Sequence, residues 1–124
     1  MKSKAHGFRV GVRNDAEGAL IEVDMIGKLT HEDYAYAIPV MESAIKHAKS
    51  VKMLADLRYL EGWELHAAWD DFRFGLEHRN DFTKIALVGE QKWVEWSTKL
   101  SKHLMGGEIK HFEKLADALV WLKA

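Results

Sequence analysis

The sequence predicts an α/β fold with a mostly parallel five-stranded sheet and an antiparallel hairpin at its start, in the order ββαβαβαβα. Two observations carry this prediction. From residue 30 onward, short apolar runs alternate with segments of helical periodicity, the pattern of strand–helix–strand crossovers. Ahead of them, two segments of alternating polarity flank a cluster of turn-forming residues, which reads as a hairpin. No repeat, low-complexity tract or Pro/Gly-rich linker divides the 124 residues, so residues 1–124 are expected to form one domain.

The elements follow in order. Phe8 to Arg13 alternates apolar and polar, the period of a half-buried strand. Asn14 to Gly18 supplies turn chemistry, and Ala19 to Ile26 reads as the returning strand. Thr30 opens the first helix, where its hydroxyl can cap the N–H of Asp33. Tyr34, Ile38, Met41 and Ile45 share one face, while Pro39 predicts a kink or broken turn over Ala35 to Pro39. Val51 to Leu57 and Thr83 to Val88 are apolar almost throughout, as central strands covered on both faces should be. Between them, Leu65 to Glu77 reads as a helix with Leu65, Trp69, Phe72 and Leu76 on its inward stripe. On that assignment Phe74 projects outward. Gln91 to Leu104 reads as a third helix carrying Trp93 and Trp96, stopped by Gly106 and Gly107. Glu108 to Phe112 is the last strand and Lys114 to Lys123 the last helix.

Composition excludes several classes of function. Eighteen basic residues face nineteen acidic ones, which leaves no electrostatic footprint for nucleic acid. Cysteine is absent, so there is no disulfide, thiolate chemistry or cysteine zinc site. Met1 to His6 lacks the apolar core of a signal peptide, and no apolar run is long enough to span a bilayer, which makes the cytoplasm the expected location.

Catalytic motifs are missing. There is no G-x-S-x-G, and Ser43, Ser97 and Ser101 fall within predicted helices. Gly106-Gly107 precedes a strand, whereas a phosphate loop follows one. Of the seven histidines no two stand at i, i+3 or i+4, which argues against a metal site or bound cofactor. His66 and Asp70 lie one helical turn apart beside Asp71; they read either as an acid–base pair or, more commonly, as a surface pair.

Five tryptophans, all after residue 62, are the unusual feature. Trp is rarely buried completely and its indole N–H seeks a partner, so these rings either pack the core or line an apolar cavity.

Taken together, several ordered segments resemble the SpoIIAA-like proteins, bacterial relatives of STAS domains. They are Gly27-Lys28-Leu29-Thr30 before a helix with Asp33, Tyr34 and Pro39, then Leu54-Ala55-Asp56-Leu57, Gly62-Trp63 and Ala68-Trp69-Asp70-Asp71. Lys84 to Gly89 followed by Trp93, then Phe112, and Ala118 to Leu122, extend the likeness over nearly the whole chain. The resemblance implies a STAS-like fold, a non-enzymatic binding or regulatory role, and kinship in shape to the CRAL-TRIO lipid carriers. It also implies a departure. Phosphoregulated anti-sigma factor antagonists carry a phosphorylatable Ser after the third strand, and Asp56 to Trp63 here contains neither Ser nor Thr.

The functional expectation is therefore a binding domain for a small apolar or lipid-like ligand, or alternatively an interaction module that docks a protein partner or a second copy of itself. Open α/β sheets bind ligands at the C-terminal ends of their strands. This places the expected ligand-binding residues at Asp56, Arg58, Trp63, Trp69, Phe72 and Trp93, with Arg58 to Glu64 as a lid and the outward Phe74 as a partner contact.

Overall fold

Alternating polarity pairs Gly7–Asp15 (β1) with Gly18–Leu29 (β2) in an antiparallel ladder, Phe8 opposite Met25 and Val12 opposite Ile21. The structure, a computed structural model, describes residues 5–15, 18–90 and 107–124. Along β2 every second residue is buried, Ala19, Ile21, Val23 and Met25 among them. Gly27 interrupts the pleat in the left-handed region at φ 68°, where the register with β3 shifts and a Cβ would stand 2.4 Å from the Ala5 carbonyl oxygen. Only glycine fits that bulge.

Thr30 ends β2 and starts α1 (His31–Lys46) through a capping box: the Asp33 N–H donates to Thr30 Oγ1 at 3.3 Å, and the Thr30 N–H to Asp33 Oδ2 at 2.9 Å. The helix continues past Pro39, so of the expected kink or broken turn over Ala35 to Pro39 the broken turn does not occur. Ala35 and Pro39 are both exposed, so the carbonyl that the proline cannot serve lies on the solvent side of the helix.

The remaining elements are β3 (Val51–Trp63), α2 (Leu65–Glu77), β4 (Phe82–Val88), β5 (Glu108–Phe112) and α3 (Leu115–Lys123). The sheet order is β1-β2-β3-β4-β5, with β1/β2 antiparallel and every later pair parallel. The expected interior strands thus occupy the positions predicted for them. The expected helix over residues 91–104 lies outside the described residues. The expected lid does not exist: β3 runs on through Trp63, Tyr59 pairs with Ile26 and Trp63 with Leu29, and the Glu64 N–H donates to the Leu29 carbonyl at 2.9 Å. The long β2 supplies the partner edge that keeps these residues extended.

Two cores result. Ile21, Val23, Val51, Ala55 and Leu87 meet Tyr34, Ala37 and Met41 of α1 and Ala67 of α2 on one face. Leu54, Ala86 and Val88 meet Ala118 and Leu122 of α3 on the other. Lys52 donates to the Leu122 carbonyl and Lys84 to those of Trp121 and Ala124, placing two cations at the negative end of α3. Among the described residues no helix is long and apolar enough to cross a membrane.

The C-terminal end of α2 is tied to α1 by one imidazole. His78 Nδ1 lies 2.8 Å from an Asp81 oxygen and Nε2 2.9 Å from a Glu42 oxygen, a setting in which the charged ring can donate to both carboxylates. Burial pulls its pKa down, but the bonds to Asp81 and Glu42 outweigh burial and raise it above the usual histidine value. A raised folded-state pKa contributes stability that is full below about 6.5 and is lost as pH rises through the folded value. The carboxylates are partly solvated, so the contribution is modest, under about 1 kcal/mol. Urea melts of wild type and His78→Gln across this pH range should show the variant less stable at acidic pH, with the gap closing as pH rises. A gap that widens with pH would contradict the clamp.

Candidate functional site

α2 does not present the face that its large apolar residues suggest. Leu65 is 91% and Trp69 56% exposed, while Ala67 is buried and Phe74 packs against the core. The expected orientations of Trp69 and Phe74 are therefore reversed. Phe74 contacts Phe82, with ring centroids 6.4 Å apart, and Trp69 packs outside on Phe72 at 5.8 Å. The inward arc is Ala67, Asp70, Asp71 and Phe74. The small Ala67 lets α2 approach the core, and the two carboxylates are tolerated because each has a partner waiting on α1.

Asp71 meets Tyr34. The Tyr34 hydroxyl donates to Asp71 Oδ1 at 2.9 Å and accepts from Trp63 Nε1–H at 2.7 Å. Three elements, α1, α2 and the end of β3, thus close one polar chain inside an apolar layer. Phe8 packs edge-on against the Tyr34 ring at 4.8 Å and fixes its plane. Burial pushes the Asp71 carboxyl up to about 6, an effect that the Tyr34 bond only partly offsets. Burial, reinforced by the Asp71 charge, likewise raises the Tyr34 phenol, so its proton stays on oxygen.

This chain borders a cavity of about 130 Å³ between the sheet and helices α1 and α2. Val23, Met25, Met53, Leu57 and Leu87 line it from the sheet, Met41 and Tyr34 from α1, and Asp71, Phe74 and Gly75 from α2. The lining is apolar except at the Tyr34–Asp71 corner. A cavity under the second helix is where the sequence placed one, but most of its lining differs from the expected set. Among the described residues expected to bind a ligand, only Trp63 lines it, joined by Phe74, which was expected to face a partner. Trp69 and Phe72 sit on the outer side of α2. Trp93 lies outside the described residues.

Asp56 and Arg58 are on the far side of the sheet. Ala55 and Leu57 point into the cavity, so the pleat sends Asp56 to the other face. There Arg58 Nε and Nη2 donate to its two oxygens at 2.9 and 2.8 Å, and the Arg58 N–H to Oδ1 at 3.0 Å. Burial works against the Asp56 charge, but these bonds from Arg58 hold its pKa below the usual carboxylate value.

Asp70 turns to a second set of partners. His31 Nδ1 lies 2.6 Å from Asp70 Oδ2, His66 Nε2 lies 4.0 Å from Oδ1, and the two imidazoles stack at 3.8 Å with 4° between planes. The expected surface pair is in fact a three-residue cluster on a carboxylate that is 8% exposed.

The SpoIIAA-like family model matches residues 20–123. A crystal structure of an uncharacterized protein with a SpoIIAA-like fold from Shewanella loihica PV-4 is 39% identical, covers 98% of each chain and gives a TM-score of 0.84. The anti-sigma factor antagonist SpoIIAA in its unphosphorylated form is 11% identical over 95% of this chain and 99% of its own, with a TM-score of 0.64, a likeness of fold. No curated protein sequence matches the chain. The resemblance carried by the ordered segments is borne out.

Tyr34→Phe keeps the ring and its Phe8 contact but leaves the Asp71 carboxyl buried without its donor. Urea unfolding should show a loss of about 1–3 kcal/mol. Tyr36→Phe, on the exposed side of the same helix, should stay within about 0.5 kcal/mol of wild type. Equal, small losses in both would mean that the Trp63–Tyr34–Asp71 chain holds nothing together.

Proposed function

The chain belongs to the SpoIIAA-like family, and on that premise we propose that it is a binding module whose ligand is a small apolar molecule with one hydrogen-bonding end. The observation that carries this reading is the cavity of about 130 Å³ with its single polar corner at Tyr34 and Asp71. Protein interiors are close-packed. The apolar surface of Val23, Met41, Met53 and Phe74 at this pocket is not covered by protein, and an apolar occupant would remove it from water.

The volume also sizes the occupant. A cavity of about 150 Å³ accommodates benzene, so this one suits a single ring or short aliphatic chain better than the whole length of a fatty acid. A ligand hydroxyl or amine would donate to Asp71, while Met25, Met41 and Met53 are soft enough to mould around a ring. A carboxylate headgroup would meet the Asp71 carboxyl and be repelled. This narrows the lipid-like expectation to a phenol-like one.

A second reading, a protein-interaction module, is favoured by the outer face of α2. Leu65 and Trp69 are exposed side by side with Phe72, and clustered exposed apolar groups mark contact surfaces. The fold shared with an anti-sigma factor antagonist supports the same reading. A serine phosphoswitch is not part of it, since residues 56–63 hold no Ser or Thr and continue β3.

The test uses p-cresol, toluene and dodecanoate as probes, with thermal unfolding and tryptophan fluorescence as readouts. The cresol should raise Tm and perturb the fluorescence, toluene should do so less, and dodecanoate not at all. Gly75 lines the cavity, and a Cβ built on it meets nothing within 4 Å. Gly75→Leu should therefore fill the space and abolish the cresol response while the protein stays folded. No response from wild type to any probe would remove the ligand reading. A Trp69→Lys variant that lowers a concentration-dependent mass in sedimentation would then put the interaction reading in its place.

A further inference from the structure

Two imidazoles and a carboxylate converge at the start of α1 and α2, away from the apolar cavity and outside the reading given to it. His31 is the first residue of α1, held in place by the capping box at Thr30. His66 and Asp70 stand one turn apart on α2, so both project from the same side of the helix. Their ligand atoms lie within 4.8 Å of one another. We propose that His31, His66 and Asp70 form a binding site for a divalent first-row transition ion.

The donor set selects the class of ion. Two imidazole nitrogens and one carboxylate oxygen suit zinc and its neighbours, whereas magnesium and calcium require oxygen-rich shells. Three protein ligands of this kind leave a further position for water or a small ligand.

Geometry separates this cluster from an ordinary ion pair. Asp70 Oδ2 is engaged by His31 at 2.6 Å, but Oδ1 stands 4.0 Å from His66 Nε2, too far for a hydrogen bond. That span is within reach of two donors each about 2.0–2.2 Å from a shared ion. His66 is largely exposed, so its ring can turn toward the ion without disturbing the core, and an incoming ion displaces the proton that His31 shares with Asp70. Asp70 itself is nearly buried and fixed by the helix, which gives the site one rigid ligand and two adjustable ones. The contrast with Glu42, Glu77 and His78 is instructive. Those groups also lie close together, but both nitrogens of His78 are already engaged by carboxylates, at 2.8 Å from Asp81 and 2.9 Å from Glu42, so neither is free to meet an ion.

Isothermal titration of the tag-free full chain with Zn²⁺ should give one site per chain. Titration with Co²⁺ should produce the visible absorption of a low-coordinate nitrogen–oxygen site. His66→Ala and His31→Ala, both at exposed side chains, should each weaken binding by at least about tenfold with circular dichroism unchanged. Glu77→Gln should bind as wild type does. Absence of Zn²⁺ binding, or binding that survives His66→Ala, overturns the proposal, as does loss of binding in Glu77→Gln.

Discussion

The hydrogen-bonded chain from Trp63 through Tyr34 to Asp71 is the constraint around which this face of the protein is arranged. A carboxyl at that depth is expensive to leave unpaired, so α2 can dock only where a donor meets it, and Tyr34 on α1 is that donor. The Tyr34 hydroxyl in turn fixes the indole of Trp63, and with it the end of β3. The spacing between helices and sheet is thus set by polar geometry rather than by maximal apolar contact. The cavity lined by Met41, Met53 and Phe74 is what that spacing leaves open.

Adjacent carboxylates do different work because helix geometry turns them about 100° apart. Asp71 faces the cavity and the phenol of Tyr34, and Asp70 faces His31 and His66 near the protein surface. One short segment of α2 therefore supplies the polar corner of an apolar pocket and the anionic member of a histidine cluster. Both partners of α2 come from the first turn of α1, whose start is fixed by the capping box of Thr30 and Asp33. The opposite end of the same helix pair is held by His78 between Glu42 and Asp81.

Much of the fold was legible in the sequence. The hairpin, the Thr30 cap, the buried strands around Leu54 and Ala86 and the terminal helix all follow from local periodicity and turn chemistry, which tertiary packing here did not override. The site was less legible, and for a physical reason. The apolar stripe Leu65, Trp69, Phe72 and Leu76 is the stronger periodic signal on α2, yet the helix turns Asp70 and Asp71 inward. Their partners, His31 and Tyr34, stand nearly forty residues earlier in the chain. Periodicity ranks residues by hydrophobicity and assigns carboxylates to solvent; it does not register a hydrogen bond between distant segments. The His31–His66 pair is hidden for the same reason, because its members stand on different helices and local ligand spacing does not connect them. Arg58 to Glu64 reads as a lid because its polar residues and glycine resemble a loop, whereas the long β2 provides a backbone partner that extends the strand through Trp63.

On the reading proposed above, the space beneath Tyr34 and Asp71 is a ligand site rather than a packing defect. The most direct measurement is NMR of protein labelled with ¹³C at the methionine methyl groups during a p-cresol titration. The methyls of Met25, Met41 and Met53 should shift together with one saturating isotherm and show NOEs to the cresol ring. Unmoved methyls at these three positions, with the changes confined to the exposed indole of Trp69, would contradict the account.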